Sequence, residues 1–563
     1  MRKMKKALLL LMLLALTALV FAACRGDNAD DTTPPPEAQE TPAETPAETP
    51  AETPAETPAE AQDTWLVPEL TTIRLATAMA PNWGHPSDGM FWEWMQEYTN
   101  IAVDWTVFLN AEMAEQFALM MAARDLPDAF IGQLGAGTDN ILTYGMELGV
   151  YIPLNDLIQS YAHNFLRRAP QEMPDIMSII TAPDGNIYSM PMIGGTADRV
   201  FNMTAINQTW LDNLDLDIPT TIDEVEEVLI AFRDGDPNGD GQPVTPLSFM
   251  FNCWGAADHG PWFAPFGAPL SPNLVLIENG TVTFQGAEEY FRDGARWLSS
   301  LYAQGLVDLE VFTYDEPMYR ARAGASPPVF GIWSSWSPHE DSGVNNEHFR
   351  TLLPPVYGPA GASQLWEQVV GVNRDLFAIT MDAPDPGLLM RWIDVLYRDV
   401  YTSFSATFGM GPGEDLAWFI NDDNLIEWVY PLPEEHIRGM QQLPFVPSVT
   451  GSELAGRMAP PTGLELVRRT HQNYVLRPYA ENFFNGTWDR WPNTFMMPEE
   501  ADEISFIEAD LVPFANRMLA SWIAGERDVD DDWEQYLRDL DAYGLQRWLQ
   551  IRQQVFDRFV AGS

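Results

Sequence analysis

Asp236, Asn238 and Asp240, followed by Gly241, place carboxylate, carboxamide and carboxylate groups at relative positions 1, 3 and 5, with glycine at position 6. A twelve-residue EF-hand loop uses that spacing to aim oxygen ligands at one calcium ion, the glycine making the sharp turn. Gln242 stands where such a loop offers a backbone carbonyl, but the twelfth position, which should hold a bidentate glutamate, is Leu247. The same residue types also build a polar turn satisfied by its own backbone and water. Spacing alone leaves both readings open.

Twenty tryptophans form a second chemistry-bearing set. An indole face covers the apolar C–H face of a sugar ring while neighbouring polar groups take its hydroxyls, although the ordinary place of a tryptophan is the core. Trp83 lies in a Gly/Pro-bounded loop, and Trp254 and Trp262 flank a Gly/Ala/Pro-rich stretch that cannot be a helix. These three are ligand-contact candidates. Trp92, Trp94, Trp297 and Trp392 recur at helical spacing with other apolar residues and are expected in the core.

Catalytic patterns are sparse. The seven histidines are dispersed, none forms HExxH, and His339 and His348 lack zinc-ligand spacing. No GxSxG elbow is present, and Cys253 has no nucleophile motif around it, so a buried inert thiol is its expected role. Every lysine lies at Lys3, Lys5 and Lys6, which leaves the rest of the chain without a Walker, Schiff-base or Ser-Lys lysine. A glycoside hydrolase is the serious enzymatic rival, because it needs only two carboxylates brought together by the fold. The formal net charge of −50 argues against binding nucleic acid or anionic lipid.

The elements that must position these residues follow an exported leader. Residues 1–23 read as a signal peptide: a basic start, an apolar run from Ala7 to Phe21, then small residues before Cys24. The ending resembles a lipobox, in which Cys24 becomes the lipid-bearing N-terminus. Residues 24–63, with Thr-Pro-Ala-Glu repeated over 41–60, read as a self-repelling extended tether that at ~3.1 Å per residue reaches on the order of 100 Å. No later stretch has the ~20 apolar residues a membrane span needs.

Beyond the tether, strand-like segments at Thr71–Ala80, Ile101–Phe108 and Asp128–Gly132 alternate with helical ones, which predicts a parallel sheet. In such sheets ligands sit at the carboxyl ends of the strands, so Trp83 and Gln133 face any site. Thr221 and Glu224 predict a capping box at the start of a helix that leads into the Asp236 loop. The C-terminal region is almost wholly helical.

Several phrases in order, AARDLPDAF (residues 122–130), YGMELGVYIPLNDLI (144–158), PDIMSIITAPDGNIYSMP (174–191) and LASWIAGERDVDDDWEQYLRDLDAYGLQRWLQI (519–551), resemble the large lipoprotein-type members of solute-binding family 1 of ABC importers. The resemblance implies an α/β, two-lobed, type II periplasmic-binding-protein-like fold, each lobe a mostly parallel sheet flanked by helices. It implies a first lobe from residues 64–190 and about 370–430, a second from about 191–369, and a helical region from about 431–563 packing across both. It also implies that Trp333 and Trp336 occupy the strand-to-helix segment where related sugar binders place a stacking tryptophan. Some relatives carry a calcium-bound loop ending in Asp-Glu; here Val244 and Thr245 replace that pair, leaving Asp236, Asn238, Asp240 and Gln242 as ligands of a structural calcium or as a polar turn.

The expected protein is a monomeric, lipid-anchored receptor on the outer face of the cytoplasmic membrane. It would bind an oligosaccharide and dock on the transmembrane subunits of an ABC permease, with no catalysis and no required cofactor. A surface glycoside hydrolase, a peptide receptor of the same fold and an adhesin are the alternatives.

Overall fold

A computed structural model of the chain describes residues 66–79, 84–110, 112–132, 140–194, 200–201, 204–251, 257–271, 273–335, 338–361, 366–367, 372–413, 416–429, 445–460, 488–489, 491 and 494–562. Cys24 and the tether lie outside them.

The alternation at the start of the folded chain is realised as β1 (Thr71–Met79), followed by α1 (Met90–Thr99), β2 (Ile101–Leu109), α2 (Met113–Ala123) and β3 (Ala129–Ile131). β1 pairs in parallel with both β2 and β3. Two further helices, α3 (Asn155–Tyr161) and α4 (His163–Glu172), complete this face. The core beneath them joins Leu75, Phe91, Trp92, Ile131 and Phe165 to Trp392 and Tyr397 from much later in the chain. Trp92 and Trp392 stack at 5.9 Å between ring centroids, so the helical-spacing reading of these tryptophans holds.

The chain then leaves this core through β4 (Met192–Ile193) and β5 (Val200–Phe201) and enters β6 (Thr204–Asn207). A second core forms around α5 (Gln208–Leu214), α6 (Ile222–Asp234), β7 (Thr245–Ser248), the hairpin β8 (Val275–Glu278) and β9 (Thr281–Phe284), and α7 (Glu289–Ala303). At the start of α6, Thr221 Oγ1 accepts the Glu224 N–H at 3.2 Å. The return bond of the expected capping box lands one residue early: the Thr220 N–H and hydroxyl both donate to Glu224 Oε2, at 2.7 and 2.8 Å.

After α8 (Glu316–Ala323) come β10 (Phe330–Ser334) and β11 (Phe349–Thr351). The second sheet has the order β11-β6-β10-β7, with β7 and β10 parallel and β6 antiparallel to β10 and β11. It is therefore mixed rather than mostly parallel, because β6 runs in from the crossing strand β5 against the direction of β10. The chain returns through β12 (Trp366–Glu367), antiparallel to β5, and β13 (Val372–Asn373), antiparallel to β4, into β14 (Phe377–Ile379) on the edge of the first sheet. Helices α9 (Pro386–Asp394) and α10 (Val400–Phe408) follow, then β15 (Ser448–Val449) beside β4. Two antiparallel strand pairs thus link two α/β cores.

In the region from about 431–563, β15 lies beside β4, and the helices α11 (Pro498–Ile523), α12 (Val529–Ala542) and α13 (Leu545–Gly562) follow. The apolar stripes of these helices, including Leu511, Leu519, Trp522, Trp533, Tyr536 and Trp548, complete the second core. Tyr536 donates to the Gly286 carbonyl at 2.9 Å, and Trp548 Nε1 donates to Glu508 within the group. Phe495, just ahead of α11, and Ala501 in its first turn pack on the first lobe. An amphipathic stripe specifies that a face is buried, not which neighbour buries it.

Candidate functional site

In the first lobe β1 and β3 end at Met79 and Ile131, and the returning chain starts β14 opposite Ile131. Gly132 turns the chain out of β3 with φ +78°, donating its N–H to the Leu376 carbonyl at 2.9 Å. A Cβ there would stand 3.2 Å from Thr77 Oγ1 and 3.3 Å from the Phe445 carbonyl, so glycine suits both the torsion and the space. Gln133 follows this turn and Trp83 follows β1. Both lie outside the described residues.

In the second lobe β7 and β10 end side by side at Ser248 and Ser334, and β6 begins opposite Ser334 at Thr204. Tyr319 ties these ends together: its buried hydroxyl donates to the Ser334 carbonyl at 2.8 Å and lies 3.2 Å from the Ser248 carbonyl. Burial pushes this phenol well above its ordinary pKa, so it stays a donor. Trp254 and Trp336, on the loops that follow these two strand ends, are outside the described residues. The second of those loops is fixed at both ends: the Ser335 hydroxyl donates to Asp341, and Arg320 Nε pairs with the same carboxylate at 3.4 Å.

Trp262 and Trp333 are corrected to core positions. Both are fully buried. Trp333 lies in a strand whose five residues are all buried, and it packs edge-on against Phe349 and Tyr319. Trp262 packs on Trp297 in the second core. With no exposed area, neither ring offers a face to a ligand.

A cavity of about 880 Å³ opens between the residues flanking the Trp254 loop and the C-terminal half of α11. Phe251, His259 and Phe312 line it on one side and Asn516, Arg517 and Ser521 on the other. The His259 ring stacks on Phe251 at 4.5 Å with 11° between planes, and among the described residues its Nδ1 has no hydrogen-bond partner. Burial lowers the His259 pKa to about 3, so the imidazole is neutral, one nitrogen donating and one accepting. Aromatic faces beside mixed donors and acceptors suit a neutral, hydroxyl-rich ligand. Sequence reasoning weighed the histidines only as metal ligands and missed His259; its place beside Phe251 and Trp262 in an aromatic, Gly/Ala-rich stretch was the available signal.

The buried imidazole predicts a pH dependence. His259 is neutral when folded and titrates near 6.5 when unfolded, so the unfolded chain takes up the proton first as pH falls. Its contribution is intact above pH ~6.5 and lost toward pH ~3, at about 1.4 kcal/mol per pH unit. Between pH 6.5 and 5 the protein should lose about 2 kcal/mol that a His259→Gln variant does not, read as the difference in their unfolding-versus-pH slopes. Equal slopes would contradict the buried neutral histidine.

The carboxylates do not assemble a catalytic pair among the described residues. Burial raises the Asp394 pKa, but this side chain is engaged at the start of α4, accepting N–H bonds from Asn164 and Phe165 at 2.9 Å each. Burial first, then Glu278 and Glu289, raises Glu288, which sits at the foot of α7 rather than at either strand-end edge.

The Asp236 loop is described throughout. Asp236 Oδ1 accepts the N–H groups of Asp240 and Gly241 at 3.2 and 3.0 Å, and Asp240 Oδ1 accepts that of Gln242 at 2.9 Å. Asn238 is turned toward the core, its Oδ1 accepting Trp210 Nε1 at 2.7 Å and its Nδ2 donating to the Pro328 carbonyl at 3.0 Å. Calcium takes six to eight oxygens, several of them charged. With Asn238 engaged and no carboxylate at 244 or 245, the donor set does not fit. No cluster of three or more His, Cys, Asp or Glu side chains suited to a metal occurs among the described residues. Asp236, Asn238, Asp240 and Gln242 here form a polar turn satisfied by its own N–H groups and by Trp210, Asn213 and Pro328.

No protein-family model matches the chain. It is similar to the fructooligosaccharide ABC transporter substrate-binding protein FusA of Streptococcus pneumoniae, 30% identical over 519 residues, 89% of this chain and 93% of FusA. Lipoprotein LipO of Bacillus subtilis is 24% identical over 277 residues, 47% of this chain and 52% of LipO. Solved structures of S. pneumoniae FusA in complex with kestose and, as an EF-hand mutant, with fructo-nystose superpose at a TM-score of 0.75 with 27% identity, covering 87% of this chain and 100% of theirs.

Proposed function

The chain belongs to the substrate-binding proteins of ABC transporters, and on that premise we propose that it captures a fructose-containing oligosaccharide outside the cytoplasmic membrane and delivers it to a permease. It is a binding receptor, not an enzyme. The observation that carries the ligand class is its likeness to a fructooligosaccharide receptor over 89% of its length. Trp83 and Gln133 of the first lobe and Trp254 and Trp336 of the second are the proposed contacts, with the Phe251–His259 cavity taking further sugar units. No bond is made or broken; function is the differential affinity of open and closed states.

Among the described residues no helix is long and apolar enough to cross a membrane. Membrane attachment in this reading is by lipid on Cys24, and the tether raises the effective concentration of the monomeric receptor at its permease. A Cys24→Ala protein should appear in the medium with binding intact; one that stays with the membrane fraction would contradict the anchor.

A thermal-shift screen of the unlipidated mature chain tests the ligand class. Kestose and nystose should raise the melting temperature, and peptides should not. A shift with peptides alone would favour the peptide-receptor reading.

A further inference from the structure

The family likeness points to calcium at the Asp236 loop, and the residues present do not fit it. We propose that this chain has exchanged the metal for side chains, so that the loop and its junction with β7 are held by α5 and by the Arg322 guanidinium, and folding and ligand binding are indifferent to calcium.

Two side chains of α5 grip the first half of the loop. Trp210 Nε1 donates to Asn238 Oδ1 at 2.7 Å, and Asn213 Nδ2 donates to the Pro237 carbonyl at 2.8 Å. The Asn238 carboxamide relays this to the Pro328 carbonyl, just ahead of β10. A calcium-binding loop would turn that oxygen inward to the ion; here an indole N–H from the core claims it. Left-handed torsions at Asp236 (φ +48°), Gly239 (+69°) and Gly241 (+67°) then let the loop close on its own N–H groups.

The second half lacks the two carboxylates that would close a metal site, and a cation stands beside it. Arg322 Nη2 donates to Thr245 Oγ1 at 2.9 Å, at the first residue of β7. Its Nη1 reaches Asp308 Oδ2 at 3.3 Å and Glu310 Oε2 at 3.2 Å, and donates to the Tyr314 hydroxyl. Asp308 is buried and also accepts the Ser248 hydroxyl at 3.0 Å and the Tyr314 hydroxyl at 2.5 Å. The guanidinium lies over the Phe330 ring at 5.3 Å. One fixed positive charge therefore joins the start of β7, the Asp308–Tyr314 segment and the start of β10, the kind of bridge a bound ion would otherwise supply.

The probe is calcium chloride itself, added to EDTA-treated, unlipidated mature protein and followed by thermal melts and calorimetry. The wild type should show no shift in melting temperature and no saturable heat. Arg322→Met should lower the melting temperature by several degrees, equally with and without calcium. Val244→Asp with Thr245→Glu, made in the Arg322→Met background, restores the acidic pair and removes the resident cation. It should acquire a calcium-dependent rise in melting temperature. Saturable calcium binding to the wild type, rescue of Arg322→Met by calcium, or indifference of the triple variant to calcium would each overturn the proposal. None of these readouts depends on the sugar ligand, so they fail independently of the proposed function.

Discussion

Replacing Trp336 by alanine should weaken oligosaccharide binding by about 30-fold or more while leaving the melting temperature almost unchanged. The argument is positional. Trp336 directly follows a strand end that Tyr319 and the Ser335–Asp341–Arg320 contacts hold in place. A large aromatic loses little entropy when it covers a sugar face, and such anchors dominate interface energetics at roughly 2–4 kcal/mol each. Three residues earlier the opposite holds. Trp333 is fully buried among Phe330, Tyr319 and Phe349, so Trp333→Ala should destabilise the second lobe by about 3–5 kcal/mol through cavity formation. The pair separates ligand contact from core packing. Unchanged affinity in Trp336→Ala, measured by calorimetry with nystose, would remove this residue from the site.

Arg168→Met should destabilise the protein by about 2–4 kcal/mol, the cost of leaving buried carbonyls without their donor. Arg168 is buried in α4, with Nη1 donating to the Tyr397 carbonyl at 3.1 Å and to the Ser403 hydroxyl at 3.2 Å. Its Nη2 donates to the Val449 carbonyl at 3.0 Å and to Glu453 at 3.1 Å. Methionine fills much of the volume and abandons two backbone carbonyls in a dry environment. Because Val449 lies in β15, beside the crossing strand β4, the loss should also loosen the connection between the lobes. The neighbouring Arg167 is exposed, and Arg167→Ala should change stability by less than ~1 kcal/mol. Chemical denaturation of both variants checks this; equal, small effects would contradict it.

Much of the first lobe was legible because its signals are local. The strand expected at Thr71–Ala80 and the helical spacing of Trp92 and Trp392 each depend on a few neighbouring residues, and the strand forms over Thr71–Met79 while both tryptophans enter the core; in the second lobe Thr221 likewise caps α6. The family resemblance, carried by phrases spread along the chain, holds as well. What failed was partner choice at long range. The stripes of α11 to α13 promised burial without naming the lobe, and the all-buried pattern of β10 erased the alternation that would have sorted Trp333 from Trp336. The Asp236 loop is a related case: its own residues match a metal loop, while Trp210 and Arg322, on which the proposed exchange rests, lie 28 and 77 residues from the groups they bind. Tyr319 went unseen because its role exists only once the ends of β7 and β10 are brought together, and His259 because histidines were weighed only as metal ligands.

The most direct test of the receptor reading is calorimetric titration of the unlipidated mature chain with nystose, followed by chromatography of the recovered sugar. The account predicts saturable binding at one site per chain, micromolar or tighter, with the oligosaccharide returned intact. Absence of binding to any fructooligosaccharide, or the appearance of shorter sugars, would contradict it.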